Sequence, residues 1–316
     1  MTSEVLAPQD THVRRPEPNS GSRRRRVRKI VKAVRMIPLA PAILIMITFL
    51  AGPIIWSIYG SFTNASLTGV NASNPEWIGF ENYVNLVNDP VFPLSLWLTA
   101  IFTFGSAVIS QNILGLGLAL LMQKANKKVT ASVGTIIVAA WILPEIVAAF
   151  VCYAYFSDDG TLNQILANFG MTGPNWLYSF PMFAIILANL WRGTAFSMMV
   201  YQAALNDVPP EITEAAMIDG AGGSKRLFHV TIPMIKNTIV TNTMLISLLT
   251  LSVFTLIYVM TAGGPGNDST TLPILAYKEA FRFSNIGYGT AIATVMLIIG
   301  AIFSVVYIRA LRPQKD

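Results

Sequence analysis

Six apolar stretches alternate with polar connections along the chain, at 36–59, 94–122, 131–156, 180–205, 239–260 and 286–308. About 20 helical residues at ~1.5 Å rise cross a ~30 Å hydrocarbon layer, so each stretch reads as a transmembrane helix. Six crossings return both termini to one side. Pro38, Pro41 and Pro53 fall near the ends of the first stretch, where a missing N–H costs least. The pattern predicts an all-α polytopic membrane protein with one transmembrane domain over residues 36–312. Residues 1–35 are polar and basic, interspersed with Pro, Ser and Gly, and are expected to stay disordered.

Composition sharpens this picture. Only 12% of the 316 residues are charged, against about 25% in soluble domains, which excludes a single soluble globule. Mean hydropathy is +0.55. Of the 22 Lys and Arg, ten lie in residues 1–35, and nineteen fall on the tail's side of the six-span arrangement. Such asymmetry predicts a multi-pass protein of the cell (inner) membrane with cytoplasmic N- and C-termini. The tail reads as a segment attracted to anionic lipid headgroups, with no role in nucleic acid binding. Cys152 is the only cysteine, so no intrachain disulfide forms, and with two histidines no Cys/His metal spacing exists. Cys152 is expected to pack, and no metal site is expected. Asn64, Asn71 and Asn267 open Asn-x-Ser triplets in outward connections, but such triplets are common by chance.

The polar segment 206–237 is too interrupted to cross a bilayer. Pro209 and Pro210 set a helix start, and Glu211 and Glu214 sit where the helix dipole favours negative charge. Gly220, Gly222 and Gly223 end that helix after about ten residues, Ser224 caps a second, and Pro233 limits it. Ala215 and Ala216 leave a low patch, Gly220 allows close approach, and Glu214 and Asp219 offer carboxylates. The segment reads either as a cytoplasmic docking knob or as an ordinary polar loop.

Polar groups inside spans are the candidates for a transport path, because hydrocarbon penalises them. Asn189, Gly193 and Phe196 share one face of the fourth span. They offer an amide, a gap and a ring for stacking, or else a packing face with one satisfied Asn. Ser247, Thr250 and Phe254 form a similar stripe in the fifth. Arg192 and Glu145 are intramembrane charges that line the path, pair with each other or snorkel. Gln111 and Asn112 read as interhelical hydrogen-bonding groups, and Gly115-x-Gly117 as a close helix packing site rather than a nucleotide site.

The run Glu214-Ala215-Ala216-x-x-Asp219-Gly220-Ala221, with Phe228 and Ile232-Pro233, resembles the EAA loop of permease subunits in bacterial binding-protein-dependent ABC importers. Ile232 stands where Leu is usual in that pattern. Further matches are similar to the carbohydrate branch of maltose/trehalose type: Gly79-Phe80-x-Asn82-Tyr83, Asp89-Pro90-x-Phe92, Gly160-x-x-Asn163, Trp191-Arg192 with Phe196, Thr261-x-Gly263-Gly264-Pro265-Gly266, Tyr277-x-x-Ala280-Phe281 and Gly287.

The resemblance implies a permease that forms the path for a di- or oligosaccharide. It also implies a second homologous permease, two ATP-binding cassette subunits and an extracytoplasmic solute-binding protein as partners, besides membrane lipid. Glu211, Glu214, Ala215, Ala216, Asp219, Gly220, Phe228 and Pro233 would then receive the motion of the ATPases. Asn189, Gly193, Phe196, Arg192, Ser247, Thr250 and Glu145 would line the sugar path. The chain has no G-x-x-x-x-G-K-[ST] loop, so it is not expected to be an enzyme or to bind a cofactor; ATP and Mg belong to the partner subunits. Glycerol-3-phosphate remains an alternative substrate. A secondary transporter using Glu145 as a proton or cation carrier is the alternative mechanism, though no paired repeat with broken helices is evident in the sequence.

Overall fold

The computed structural model describes residues 39–311. Among these the chain is helical, with a single isolated bridge between Thr63 and Trp77. The principal helices begin, in chain order, with α1 (Ala40–Gly60), α2 (Glu81–Asn88), α3 (Val91–Lys124), α4 (Lys127–Ile142), α5 (Glu145–Phe156) and α6 (Thr161–Asn168). They continue with α7 (Pro181–Asn206), α8 (Pro210–Ile218), α9 (Gly223–Met234), α10 (Lys236–Leu251), α11 (Thr255–Thr261), α12 (Leu272–Tyr277) and α13 (Ile286–Leu311). By contacts the chain divides within α1, into Met1–Trp56 and Ser57–Asp316. The expected disordered tail, 1–35, lies outside the described residues, as do Arg312 and Lys315.

Four helices are long and apolar enough to cross a membrane: α1, α3, α7 and α13. The third and fifth expected spans are not continuous. The chain turns by 104° between Lys127–Ile142 and Glu145–Asn168, where Pro144 lacks the N–H that would carry the helix on. The expected fifth span, 239–260, is interrupted at Ser252, Val253 and Phe254 between α10 and α11. A second bend, of 69°, separates Gly223–Met234 from Lys236–Leu251 just after Pro233. The described residues thus hold four helices able to cross a membrane, or up to six such spans if each bent pair counts as one.

In the Ser57–Asp316 unit, α3 and α7 pack most closely, and Gly115 shows why. A Cβ there would stand 2.5 Å from the Ser197 Cβ and 3.0 Å from the Met198 nitrogen, so only glycine permits this approach. The packing role read for Gly115 agrees with the geometry, whereas Gly117 faces open space. Replacing Gly115 with leucine is expected to cost at least about 1–3 kcal/mol by overpacking, read as a lowered thermal midpoint of the purified protein.

Polar residues tie the same helices together. The Asn112 side-chain oxygen accepts from the Tyr201 hydroxyl and from Asn242 Nδ2 at 3.0 Å, and Asn242 also donates to Ser197 Oγ at 3.0 Å. With no water to satisfy them, buried amides at these depths need such partners. Asn112 therefore serves as the interhelical group its sequence suggests, joining α3, α7 and α10.

A second core forms where α5 and α11 meet α7, from Ala149, Cys152, Phe156, Ala184, Ile185, Leu256, Ile257 and Met260. Cys152 is buried within it. Near the start of α13, Asn82 Nδ2 donates to the Ser61 and Thr63 carbonyls, each at 2.9 Å, and a Cβ on Gly287 would overlap the Thr63 carbonyl. Two of the matched motif positions, Asn82 and Gly287, thus meet at one junction. Beside α12, Lys278 donates to Thr270 Oγ1 at 2.9 Å, and burial lowers the pKa of its ammonium.

Candidate functional site

A cavity of about 590 Å³ opens where the two broken helices face α3 and α7. Leu143, Pro144 and Glu145 at the first break line it, as do Ser252 and Val253 at the second. Breaks in transmembrane helices are tolerated where the freed backbone lines a cavity or is buried in protein, which is the arrangement here. The remaining wall comes from Gln111 of α3, Trp141 and Ile142 of α4, Asn189, Arg192, Gly193 and Phe196 of α7, and Ile246, Leu249 and Thr250 of α10.

Six of the seven residues expected along the path share this one cavity: Glu145, Asn189, Arg192, Gly193, Phe196 and Thr250. Ser247 does not. It is buried, donates to the Thr243 carbonyl at 2.6 Å and contacts the Tyr307 hydroxyl at 3.3 Å. Phe254 lies in the break itself, stacked on Tyr258 with ring centroids 5.2 Å apart, so the expected stripe of the fifth span does not persist.

The gap read at Gly193 is occupied. A Cβ there would overlap the whole Gln111 amide, so glycine is required by Gln111 and leaves no free notch for a ligand. Gln111 is 1% exposed and donates from Nε2 to the Asn189 carbonyl at 2.9 Å, while its Oε1 is buried without a partner. It is delivered by a widened helical stretch, Thr103–Gln111, whose Ser106 Oγ accepts from Asn189 Nδ2 at 2.7 Å. Such widened turns are frequent at functional positions. Asn189 is thus partly committed to α3, being only 4% exposed.

Arg192 and Glu145 face the same cavity but form no ion pair among the described residues. The Arg192 Nε is buried without a partner, whereas Glu145 Oε1 accepts from the Leu256 backbone N–H at 3.2 Å. Trp141, absent from the sequence reading, sets its ring 6.0 Å from that of Phe196 and at 32° to it. The cavity therefore combines two aromatic rings with two amides, two hydroxyls, a guanidinium and a carboxylate. That mixture suits a ligand with polar edges and apolar faces.

The segment 206–237 forms the second feature. α8 begins at Pro210, carries Glu211 in its first turn and ends with Asp219 followed by Gly220 at φ +77°. A non-glycine residue is strained in that left-handed conformation. Gly222 and Gly223 do not end this helix; they open the next, with Gly222 at the N-cap and Ser224 inside it, so Ser224 is not the cap. Glu211, Glu214, Ala215, Asp219, Phe228 and Pro233 are exposed, and Ala216 is half-buried. Ile218 is 87% exposed, with Met217, Ile212 and Phe228 also out on the surface. These apolar side chains stand exposed at the end of a short helix.

Residues 111–315 match the family described as binding-protein-dependent transport system inner membrane component. The chain is 32% identical over 293 residues to the sulfoquinovosyl glycerol transport system permease protein SmoG of Agrobacterium fabrum, covering 90% of this chain and 92% of that one. It is 30% identical over 243 residues to the trehalose/maltose transport system permease protein MalF of Thermococcus litoralis, covering 76% and 81%. Among solved structures, a bacterial ABC transporter involved in the import of the acidic polysaccharide alginate superposes with a TM-score of 0.77 at 21% identity, over 92% of this chain and 100% of that one.

Proposed function

Because the chain belongs to the family of inner membrane components of binding-protein-dependent transport systems, we propose that its cavity is the sugar path of an ABC importer and that α8 couples this path to separate ATPases. The protein is a permease subunit of an ABC importer for sugars, a transport subunit rather than an enzyme. The relatives' names carry a sulfoquinovosyl glycerol, trehalose or maltose, and lactose, all of them sugars or glycosides. The substrate proposed here is a di- or oligosaccharide.

The observation that carries the reading is the cavity at the two helix breaks. Its amide, hydroxyl and guanidinium groups supply hydrogen bonds, and Trp141 and Phe196 supply apolar faces. The partners proposed are a second permease, two ATP-binding cassette subunits holding ATP and Mg, and a solute-binding protein on the outer side. One of the similar solved structures is an alginate transporter in complex with a periplasmic protein carrying an alginate pentasaccharide. ATP binding moves the ATPases together, and the exposed apolar end of α8 carries that motion into the helices. Closely packed cores switch between discrete arrangements instead of deforming smoothly, so the cavity opens to one side or the other.

Helix breaks of this kind also occur in secondary transporters, but the family match does not favour that alternative. The test is Asn189→Ala in the assembled importer, with trehalose, maltose and lactose assayed in turn. The half-saturating concentration for stimulated ATPase activity should rise about tenfold, the worth of one lost hydrogen bond. An unchanged value assigns Asn189 to helix packing alone.

A further inference from the structure

The N–H groups that open a helix have no partner inside it. α11 begins without a side-chain cap of its own and without an acidic residue in its first turn. One of its opening donors, the Leu256 N–H, is satisfied from 111 positions away by Glu145 Oε1 at 3.2 Å. Glu145 is itself the first residue of α5, where the helix dipole also favours a carboxylate. One side chain therefore sits at the start of both half-helices that follow the two breaks, and residues of both breaks line the cavity. From this joint α5 and α11 run side by side, sharing Ala149, Cys152, Phe156, Leu256, Ile257 and Met260 in one core.

We infer that Glu145 is a positioning residue that ties the two breaks together, so that α5 and α11 move as one unit when the cavity changes its access. This rests on reading the cavity as the transport path. It differs from a carrier role for Glu145, because the tie needs an acceptor oxygen at the right reach and does not need charge.

Three variants of the assembled complex separate these requirements. Glu145→Gln keeps an acceptor oxygen at the same reach, Glu145→Asp keeps the charge but shortens the reach, and Glu145→Ala removes both. Backbone hydrogen exchange over 252–261 reads the tie with no substrate present. It should quicken about tenfold in the Ala and Asp variants and change less than about threefold in Gln, because opening free energy sets exchange. Maximal sugar uptake should fall further in the Ala and Asp variants than in Gln. The inference is overturned if exchange is the same in all four proteins, or if Asp transports while Gln does not. Should the parent complex move no sugar, the reading of the path fails, yet the exchange order still decides whether the tie exists.

Discussion

Replacing Gly193 with valine is expected to cut sugar uptake by about a hundredfold, because it evicts Gln111 from the cavity wall. The new side chain would occupy the position of the Gln111 amide. Overpacking of this kind costs about 1–3 kcal/mol. Displacing the amide also breaks its 2.9 Å bond to the Asn189 carbonyl, leaving a buried acceptor that costs about 1–3 kcal/mol more. Together these amount to about 2–6 kcal/mol, a range that brackets the ~2.8 kcal/mol that a hundredfold change represents. The displaced amide has the cavity as its nearest free volume, so path and packing fail together. The check is a double-mutant cycle with Gln111→Ala, measured by uptake in proteoliposomes of the assembled importer. Removing the amide first should make Gly193→Val much less harmful, giving a coupling energy above ~1 kcal/mol. Additive effects would mean that Gln111 is not what requires the glycine.

The second large effect is expected at the exposed end of α8. Gly220 adopts φ +77°, and a Cβ there meets nothing within 4 Å. Gly220→Val therefore brings no clash, only backbone strain of about 1–2 kcal/mol for an L-residue in the left-handed region. The strain is relieved by turning the chain at Gly220, which changes how Ile218 and Asp219 are presented while leaving the membrane helices alone. Sugar-stimulated ATPase activity should fall at least about tenfold. Membrane insertion and the thermal midpoint of the purified chain should stay near those of the parent. Normal stimulation with valine at this position would remove α8 from the coupling route.

Much of this arrangement is readable from residue order, and what escapes does so for physical reasons. The spans that pack as single helices, such as α7 and α13, run 26 residues each and stay apolar on average, so length and mean hydropathy reveal them. The bend at Pro144 has a signal, the proline itself, although hydropathy runs straight across it. The break at Ser252–Phe254 has none. No proline or glycine lies there, and the α11 N–H it frees is held by Glu145, a contact that no local window contains.

The same distinction governs the cavity. Asn189, Gly193 and Phe196 share a helical face and appear together in the wall, as period alone suggests. Gln111 reads as an interhelical group and does donate across helices, but its place in the wall depends on the widened stretch of α3, which sequence spacing does not show. Trp141 comes to Phe196 through the packing of α4 on α7, a contact that no local window contains. In segment 206–237 the two helices are legible from their prolines and glycines. The role of Gly222 is not, since a glycine equally ends one helix or opens the next.

The central claim is that this chain is a conduit driven from outside through α8, with no energy source of its own. The most direct measurement is uphill uptake of radiolabelled sugar into proteoliposomes, comparing this chain alone, with an imposed proton gradient, against the full importer with its second permease, ATPases and loaded solute-binding protein. The account predicts accumulation only in the full importer, dependent on ATP and indifferent to collapse of the gradient. Accumulation by the chain alone, sustained by the gradient without nucleotide, would contradict it.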